Sequence, residues 1–179
     1  MSSSIVVLSG SPRKGGNTDK LVGAFVKGAE SGGKTVALFR VADMVIGGCK
    51  GCGHCLKNRG VCVQKDGMPP ILEALRRADA VVFASPVYFF DMTAQLKLAI
   101  DRTYALLREA IPIRRAALLM ACGDKNADAA EGAVVTYRHI LAYKKWEDAG
   151  VIVVPGLHAP DDIEGRGEME RAEELGRQI

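Results

Sequence analysis

Hydrophobic residues along the chain alternate between short continuous runs and longer stretches in which they recur every three or four positions. Five continuous runs predict strands, at residues 4–8, 34–39, 80–84, 116–121 and 151–154. Each run is apolar at nearly every position rather than at every second one. Because strands buried on both faces have this pattern, we expect a parallel sheet.

The stretches between these runs carry apolar stripes at helical spacing. The stripes lie within residues 21–29, 96–107, 137–141 and 169–179, and the second belongs to a helix predicted over residues 93–108. A shorter helix is predicted over residues 69–77, because proline suits a first helical turn. Gly32, Gly33 and Gly150 predict helix ends before the next strand.

The order of these elements predicts an α/β fold. Five β-α units without an inserted domain form a doubly wound, five-stranded parallel sheet of order 2-1-3-4-5, in three layers α/β/α. The length of 179 residues suits a single domain covering residues 1–179. The one irregular stretch is residues 41–68, and a connection of that length is more often functional than structural.

The amino-acid composition and charge exclude several classes of protein. Hydrophobic residues make up 48% and charged residues 25%, which excludes a disordered tail or a disulfide-stapled miniprotein. The net charge of +3 is too balanced to favour nucleic acid as a partner. No apolar run approaches the roughly 20 residues that span a bilayer. The first residues lack the pattern of a signal peptide, so we predict none. We therefore expect a cytoplasmic protein without membrane contact.

Cysteine is unevenly distributed. Four of the five cysteines, Cys49, Cys52, Cys55 and Cys62, fall in the irregular stretch, and Cys122 ends an apolar strand as a predicted core thiol. Two successive CxxC steps place three thiols on one turn, and four thiolates from a compact loop are what a 4Fe–4S cluster requires. A zinc site, with four cysteines or three and His54, and a redox dithiol are alternatives.

A glycine-rich loop, residues 9–18, follows the first strand. Its hydroxyls, its backbone amides at a helix start and the charges of Arg13 and Lys14 suit a phosphate group. The loop lacks the Lys-Ser/Thr pair of a P-loop and the glycine spacing of a dinucleotide fingerprint. The alternative is a polar turn in which Asn17 or Thr18 caps the helix.

A second polar and aromatic loop follows the third strand, which should lie beside the first at the switch point of the sheet. It contains three consecutive aromatic residues, Tyr88, Phe89 and Phe90. They predict contact with a flat ring system or with another subunit. The alternative is that Tyr88 and Phe90 simply cap the core.

Together, residues 10–18 and 85–89 resemble the NAD(P)H-dependent FMN reductase branch of the flavodoxin-like proteins, and the cysteine segment resembles the iron–sulfur flavoproteins within it. The resemblance extends over essentially the whole chain and implies a flavodoxin-like, FMN-binding domain. It assigns the FMN phosphate to Ser9, Ser11, Arg13, Asn17 and Thr18, and the ribityl chain and ring to Pro86, Val87, Tyr88 and Phe89. Pro12 and Ser85 belong to the same motifs, and Gly123 would close over the far edge of the ring in a loop that has fewer glycines than the family pattern.

The resemblance also implies a function. It predicts an FMN-dependent oxidoreductase that takes electrons from NAD(P)H or a ferredoxin-like protein and passes them to a small-molecule or protein acceptor. The four clustered cysteines would hold a 4Fe–4S cluster. We predict no catalytic side chain, because the flavin supplies the hydride chemistry. A homodimer or homotetramer is expected, with the three aromatic residues and the helix predicted over residues 93–108 at the subunit contact.

Three alternatives to this function remain at the level of sequence. One is a flavodoxin-type electron carrier without nicotinamide turnover, which the mildly basic charge disfavours. The second is a flavin reductase whose cysteine loop holds zinc or is empty. The third is a zinc-stabilised binding module without a redox role.

Overall fold

The computed structural model describes residues 3–179 and contains a mixed sheet. Its strands are β1 (Ser4–Ser9), β2 (Thr35–Arg40), β3 (Ala80–Tyr88), β4 (Asp91–Met92), β5 (Arg115–Ala121) and β6 (Glu147–Val154). Five of them are parallel, in the spatial order β2-β1-β3-β5-β6, with Val7 paired to Leu38 on one side and to Val82 on the other. This order is the predicted 2-1-3-4-5, so the doubly wound α/β class is confirmed.

Helices cover both faces of the sheet. They are α1 (Asn17–Ser31), α2 (His54–Lys57), α3 (Met68–Leu75), α4 (Ala94–Arg102), α5 (Glu131–Lys144) and α6 (Gly167–Gln178). Alternate residues of the buried strands face opposite layers. Ile5 and Val7 pack towards α1 and α6, whereas Val6 and Leu8 pack towards α3, α4 and α5. The three predicted layers are therefore present. Among residues 3–179, we find no helix with the length and apolarity needed to cross a bilayer.

Several element boundaries differ from the prediction. Helix α4 ends at Arg102 and is followed by a 3₁₀ turn over Thr103–Leu106, so the helix expected over residues 93–108 is shorter. Strand β6 begins at Glu147 and passes through Gly150, which lies in the strand rather than at a helix end. Its register against β5 shifts between Ala116 and Ala117, which is the signature of a bulge.

The sixth strand was not predicted. Strand β4 runs antiparallel to the end of β3, with Val87 opposite Met92 and Tyr88 opposite Asp91. The turn between them is Phe89-Phe90, and both residues have positive φ, 51° and 71°. A two-residue hairpin of this type favours Asn-Gly, so a Phe-Phe pair gave no signal for it.

Candidate functional site

The carboxyl ends of β1, β3, β5 and β6 meet at one edge of the sheet, where their loops enclose a cleft of about 230 Å³. Eight of the twelve predicted cofactor-binding residues line it: Ser11, Arg13, Asn17, Thr18, Pro86, Val87, Tyr88 and Gly123. Ala121 at the end of β5, with Leu157 and His158 from the loop after β6, completes the lining. The structure therefore brings the three predicted loops together at the expected edge.

The other four predicted residues lie outside this lining. Ser9 is buried at the end of β1 and lines a separate groove of about 590 Å³ between α1 and β2. Pro12 is exposed in the first loop, and Phe89 is 97% exposed at the tip of the hairpin. Ser85 is fully buried beneath the cleft. Of these four residues, Ser9 and Ser85 are buried and Pro12 and Phe89 are exposed, and none of them lines the cleft.

Thr93 joins the first two loops to each other. Its Oγ1 donates a hydrogen bond of 2.9 Å to the carbonyl oxygen of Gly10, and its backbone N–H donates one of 2.9 Å to Ser85 Oγ. The same Oγ1 accepts from the Leu96 N–H and so caps α4. A methyl group on Gly10 would lie 2.4 Å from Thr93 Oγ1, so this contact requires glycine. A Thr just before a helical stripe is the one sequence signal that could have found it.

The start of α1 suits an anion. Gly16 occupies the cap position and no side chain of residues 3–179 caps the first turn, which leaves backbone N–H groups available. Arg13 forms no ion pair with residues 3–179, whereas the neighbouring Lys14 pairs with Asp43 at 3.7 Å. The alternative that Asn17 or Thr18 caps this helix is wrong, because both lie within it.

Asn17 ties the start of α1 to the loop after β6. Its Nδ2 donates to the Ala159 carbonyl at 2.7 Å, and its Oδ1 accepts from the Ile163 N–H at 3.2 Å. The amides of Ala159 and His158 both donate to Asp162 Oδ2 at 2.7 Å and lower the pKa of that carboxyl group below its ordinary value. These bonds fix the backbone of His158, whose place in the cleft was not predicted, at one wall of the site.

The loop after β5 is hydrogen-bonded to the loop after β6. The Leu157 N–H donates to the Cys122 carbonyl at 2.8 Å, and the Gly156 N–H donates to the Asp124 carbonyl at 2.6 Å. Gly123 lies between these two contacts and lines the cleft. Cys122 itself is 2% exposed, which confirms the predicted core thiol.

The three consecutive aromatic residues stand at the mouth of the cleft. Tyr88, Phe89 and Phe90 are 43%, 97% and 65% exposed, so the alternative that Tyr88 and Phe90 cap the core is wrong. The two Phe rings contact edge to face, with centroids 6.1 Å apart. The turn rests on the start of α5, where a methyl group on Gly132 would lie 2.6 Å from the Phe90 carbonyl oxygen. An apolar surface is thus presented beside the cleft.

The cysteine loop, residues 41–67, lies between β2 and α3 and contains the four-residue helix α2. Cys49 and Cys52 are exposed, Cys55 and Cys62 are half-buried, and none is in a disulfide. In the part of the chain that the structure describes, no three His, Cys, Asp or Glu side chains are arranged to hold a metal ion. All four predicted ligands lie in one loop, but their side chains are not arranged together as a metal site.

Arg102, at the end of α4, holds this loop from beneath. Its Nη1 donates to Asp66 Oδ2 at 2.6 Å and to the Gly47 carbonyl at 2.7 Å, and its Nη2 donates to Asp66 Oδ1 at 3.1 Å and to Cys62 Sγ at 3.3 Å. Burial acts to raise the pKa of Asp66. The hydrogen bonds from Arg102 and from the Gly47 and Met68 amides outweigh it, and that pKa falls below its ordinary value.

A second ion pair supports the loop at Gly60. Arg76 donates two hydrogen bonds to Glu109, at 2.7 and 2.9 Å, and this contact lowers the pKa of Glu109. A methyl group on Gly60 would lie 1.8 Å from Glu109 Oε1, and the φ of Gly60 is 73°. The backbone of the loop can approach the ion pair only because this residue is glycine.

The donor set fits an iron–sulfur or zinc group in its chemistry. Cysteine thiolates bind both groups, and this loop carries four free cysteines. Arg102 adds a buried guanidinium whose Nη2 contacts Cys62 Sγ and whose Nε has no partner in residues 3–179. This buried guanidinium can therefore donate hydrogen bonds to sulfur ligands at this end of the loop.

A sequence model of the NADPH-dependent FMN reductase family matches residues 3–158. The chain belongs to this family. The chain is 43% identical over 97 residues to an iron-sulfur flavoprotein from Archaeoglobus fulgidus. This match covers 54% of the chain and 44% of that protein. The chain is 36% identical over 124 residues to an iron-sulfur flavoprotein from Methanosarcina thermophila, across 68% of the chain and 64% of that protein. The resemblance seen in the motifs is confirmed.

The chain spans about half the length of the curated relatives it matches. Its fold is similar to that of an NAD(P)H:quinone oxidoreductase from Methanothermobacter marburgensis, with a TM-score of 0.73 and 20% identity. That similarity covers 99% of this chain and 96% of the other. At this identity, the likeness concerns the fold alone, and it agrees with the flavodoxin-like prediction.

Proposed function

We propose that this chain is an FMN-dependent oxidoreductase that accepts electrons from NAD(P)H or a reduced ferredoxin-like protein and passes them to a small-molecule or protein acceptor. The observation that carries the proposal is the convergence of eight predicted cofactor residues from three loops on one cleft. The cleft lies at the carboxyl edge of a doubly wound sheet, which is where such folds bind their ligands.

The residues divide the work of binding. Arg13 and the uncapped start of α1 would bind the phosphate of FMN, with Ser11 shaping the loop through its bonds to the Arg13 backbone, both at 3.3 Å. Pro86, Val87 and Tyr88 would line the ribityl chain and ring from one side. When bound, FMN supplies the hydride acceptance and electron release. The chain contributes binding, orientation and exclusion of water, and needs no side-chain acid or base.

Arg13 and Lys14 provide a matched pair of variants to test FMN binding. Arg13→Met removes an unpaired cation beside the cleft, and we expect the FMN dissociation constant to rise about tenfold or more. Lys14→Met removes a neighbouring exposed cation already paired with Asp43, and we expect a change of less than about threefold. Flavin fluorescence quenching measures both. A wild-type protein that does not bind FMN would overturn the proposal.

Steady-state oxidation of NADH and NADPH by the FMN-loaded protein separates the enzyme from the alternatives. Turnover with a soluble electron acceptor supports a nicotinamide-linked reductase. Absence of turnover, together with reduction by a ferredoxin-like protein, supports the protein-donor branch of the same proposal. Tight FMN binding with neither reaction contradicts the proposed reductase and leaves a flavodoxin-type carrier.

We further propose that Cys49, Cys52, Cys55 and Cys62 hold a 4Fe–4S cluster as a second redox centre. The support is the donor set, its location in one loop and the buried cation at Cys62. Anaerobic reconstitution should give about four iron and four sulfide per chain. Cys62→Ser should lose this iron, and Cys122→Ala, a core control, should retain it. Stoichiometric zinc or an absence of metal in the reconstituted wild type would contradict the cluster.

A second copy of the chain is the proposed partner at the cleft mouth. The exposed Tyr88, Phe89 and Phe90 give an apolar surface that a homodimer, or a tetramer built from dimers, would cover. Light scattering on a sizing column should show at least a dimer. A monomer that binds FMN at full occupancy would contradict this assembly. No nucleic acid or membrane partner is proposed, and a cytoplasmic location stays a prediction of the sequence.

A further inference from the structure

Helix α4 ends with a cation that is almost completely enclosed. The Arg102 side chain is 1% exposed and that of its partner Asp66 is 11% exposed. Burying an ion pair at this depth costs free energy unless the geometry and the remaining hydrogen bonds compensate. The two-pronged contact of Arg102 with Asp66, at 2.6 and 3.1 Å, provides that geometry.

The contacts of Arg102 reach both ends of the cysteine segment. Gly47 precedes the first of the four cysteines and Asp66 follows the last, and Arg102 donates to both. Asp66 Oδ2 also accepts from the Gly47 N–H at 3.0 Å, and its Oδ1 accepts from the Met68 N–H at 3.1 Å. One guanidinium and one carboxylate thus close the base of the loop on α4.

Cys62 differs from the other clustered cysteines in its contact with this pair. Its sulfur lies 3.3 Å from Arg102 Nη2, whereas Cys49 and Cys52 are exposed to solvent. The guanidinium keeps one more donor, Nε, that is buried and unpaired among residues 3–179. Arginine is suited to this place because its planar fork can serve several acceptors at once, which a lysine ammonium cannot do in the same geometry.

We propose that Arg102 is a positioning residue that fixes Cys62 as the anchored ligand of the cysteine loop and raises the reduction potential of the metal centre held there. The inference rests on the proposed cluster. Hydrogen bonds to ligand sulfur and a nearby positive charge stabilise the more negative, reduced form of a cluster, so they move its potential upwards. The other three cysteines would join a sulfur already held in place.

The test compares three variants of the full chain, each loaded with FMN and reconstituted anaerobically. Arg102→Met removes both the charge and the planar guanidinium, and Arg102→Lys keeps the charge without the planar group. Lys97→Met removes an exposed cation of the same helix, which pairs with Asp101. The readouts are iron per chain, the midpoint potential of the cluster by anaerobic titration, and the FMN dissociation constant. None of them is a measurement of turnover.

We expect Arg102→Lys to keep FMN affinity within about threefold while iron occupancy falls and the midpoint potential of the remaining cluster shifts downwards. Arg102→Met should shift it further or lose the cluster, and Lys97→Met should match the wild type. A loaded Arg102→Lys protein with wild-type iron content and potential would overturn the role of Arg102 while the cluster itself stands. A wild type that takes up no iron would overturn the cluster and this role together.

Discussion

Thr93 Oγ1 donates a 2.9 Å hydrogen bond to the carbonyl oxygen of Gly10, a residue 83 positions earlier in the chain. This bond fastens the first loop of the cleft to the start of α4. The other end of the same helix is Arg102, which contacts Cys62. Because α4 has nine residues, it is about 13 Å long, and it is one rigid element between the cleft and the cysteine loop.

Replacing Thr93 by Val should uncouple the cleft from α4. The variant keeps the shape but loses the bonds to Gly10 and to the Leu96 N–H, leaving two buried groups without a partner. We expect a loss of about 1–3 kcal/mol in the free energy of unfolding, and an FMN dissociation constant raised several-fold. Urea denaturation and flavin titration measure the two effects.

Thr103→Val is the matched control for that experiment. Thr103 lies at the opposite end of α4 from Thr93, and its hydroxyl donates to the Ile100 carbonyl, three residues earlier in the same helix. This variant should leave FMN affinity unchanged. Equal losses of affinity in Thr93→Val and Thr103→Val would contradict a specific link between Thr93 and the cleft.

Gly10→Ala should be among the most damaging single substitutions in the first loop. Its methyl group would lie 2.4 Å from Thr93 Oγ1 and 2.7 Å from Leu96 Cβ, both fully buried. We expect a loss of about 1–3 kcal/mol or more in the free energy of unfolding, as for other overpacked positions. Gly23→Ala is the control. Apart from its chain neighbours and the backbone of its own helix, no atom of residues 3–179 lies within 4 Å of the added methyl group. Removing this helical glycine should stabilise the chain by about 0.5–1 kcal/mol.

The sequence predicted the sheet because its signal is local. Continuous apolar runs and helical stripes are readable within a few turns of chain. Their alternation predicts the doubly wound class, and the strand order and both helical layers follow from that class. The contacts of Thr93 with Gly10 and of Arg102 with Cys62 are not readable in this way. They join residues 83 and 40 positions apart, and a single Thr or Arg on a helix has no local pattern that reveals a distant partner.

The cleft was predicted better than the roles of its individual residues. The motifs located three of the four loops, but Asn17 holds the loop after β6 and Ser85 holds Thr93, so both already serve protein contacts. The place of His158 in the cleft was not predicted, since only the folded chain brings the loop after β6 across the switch point. The single-domain boundary of residues 1–179 stays a prediction.

The Phe89-Phe90 turn should lower the free energy of unfolding of the protomer while it exposes an aromatic surface. Both residues have positive φ, which costs a bulky residue roughly 1 kcal/mol or more at each position. We expect Phe89→Asn with Phe90→Gly to raise the free energy of unfolding of the protomer, because Asn-Gly suits this turn. The same double variant should weaken self-association in light scattering. An unchanged oligomer would remove these side chains from the subunit contact.

Alanine variants at Gly60 and Gly51 distinguish the effect of packing on stability from the effect of backbone strain in the cysteine loop. Both have positive φ, 73° and 63°, so alanine strains the backbone at either site. At Gly60 the methyl group would also meet Glu109 Oε1, at 1.8 Å, whereas at Gly51 no atom of the described residues beyond the chain neighbours lies within 4 Å. We expect Gly60→Ala to be the more destabilising of the two in urea denaturation, and to lower iron uptake further. Equal effects would mean that the Arg76–Glu109 pair does not support the loop.

The ion pairs under the cysteine loop should make the protein sensitive to acid. Asp66 and Glu109 have pKa values lowered in the folded state, so the unfolded chain takes up their protons first as the pH falls. Their stabilisation is complete above the ordinary carboxyl pKa of about 4 and is lost below it. The free energy of unfolding should therefore drop as the pH falls from about 5 towards 3. Asp66→Asn and Glu109→Gln should each lower stability at neutral pH and flatten that slope. A variant slope as steep as that of the wild type would show that other carboxyl groups cause the acid sensitivity.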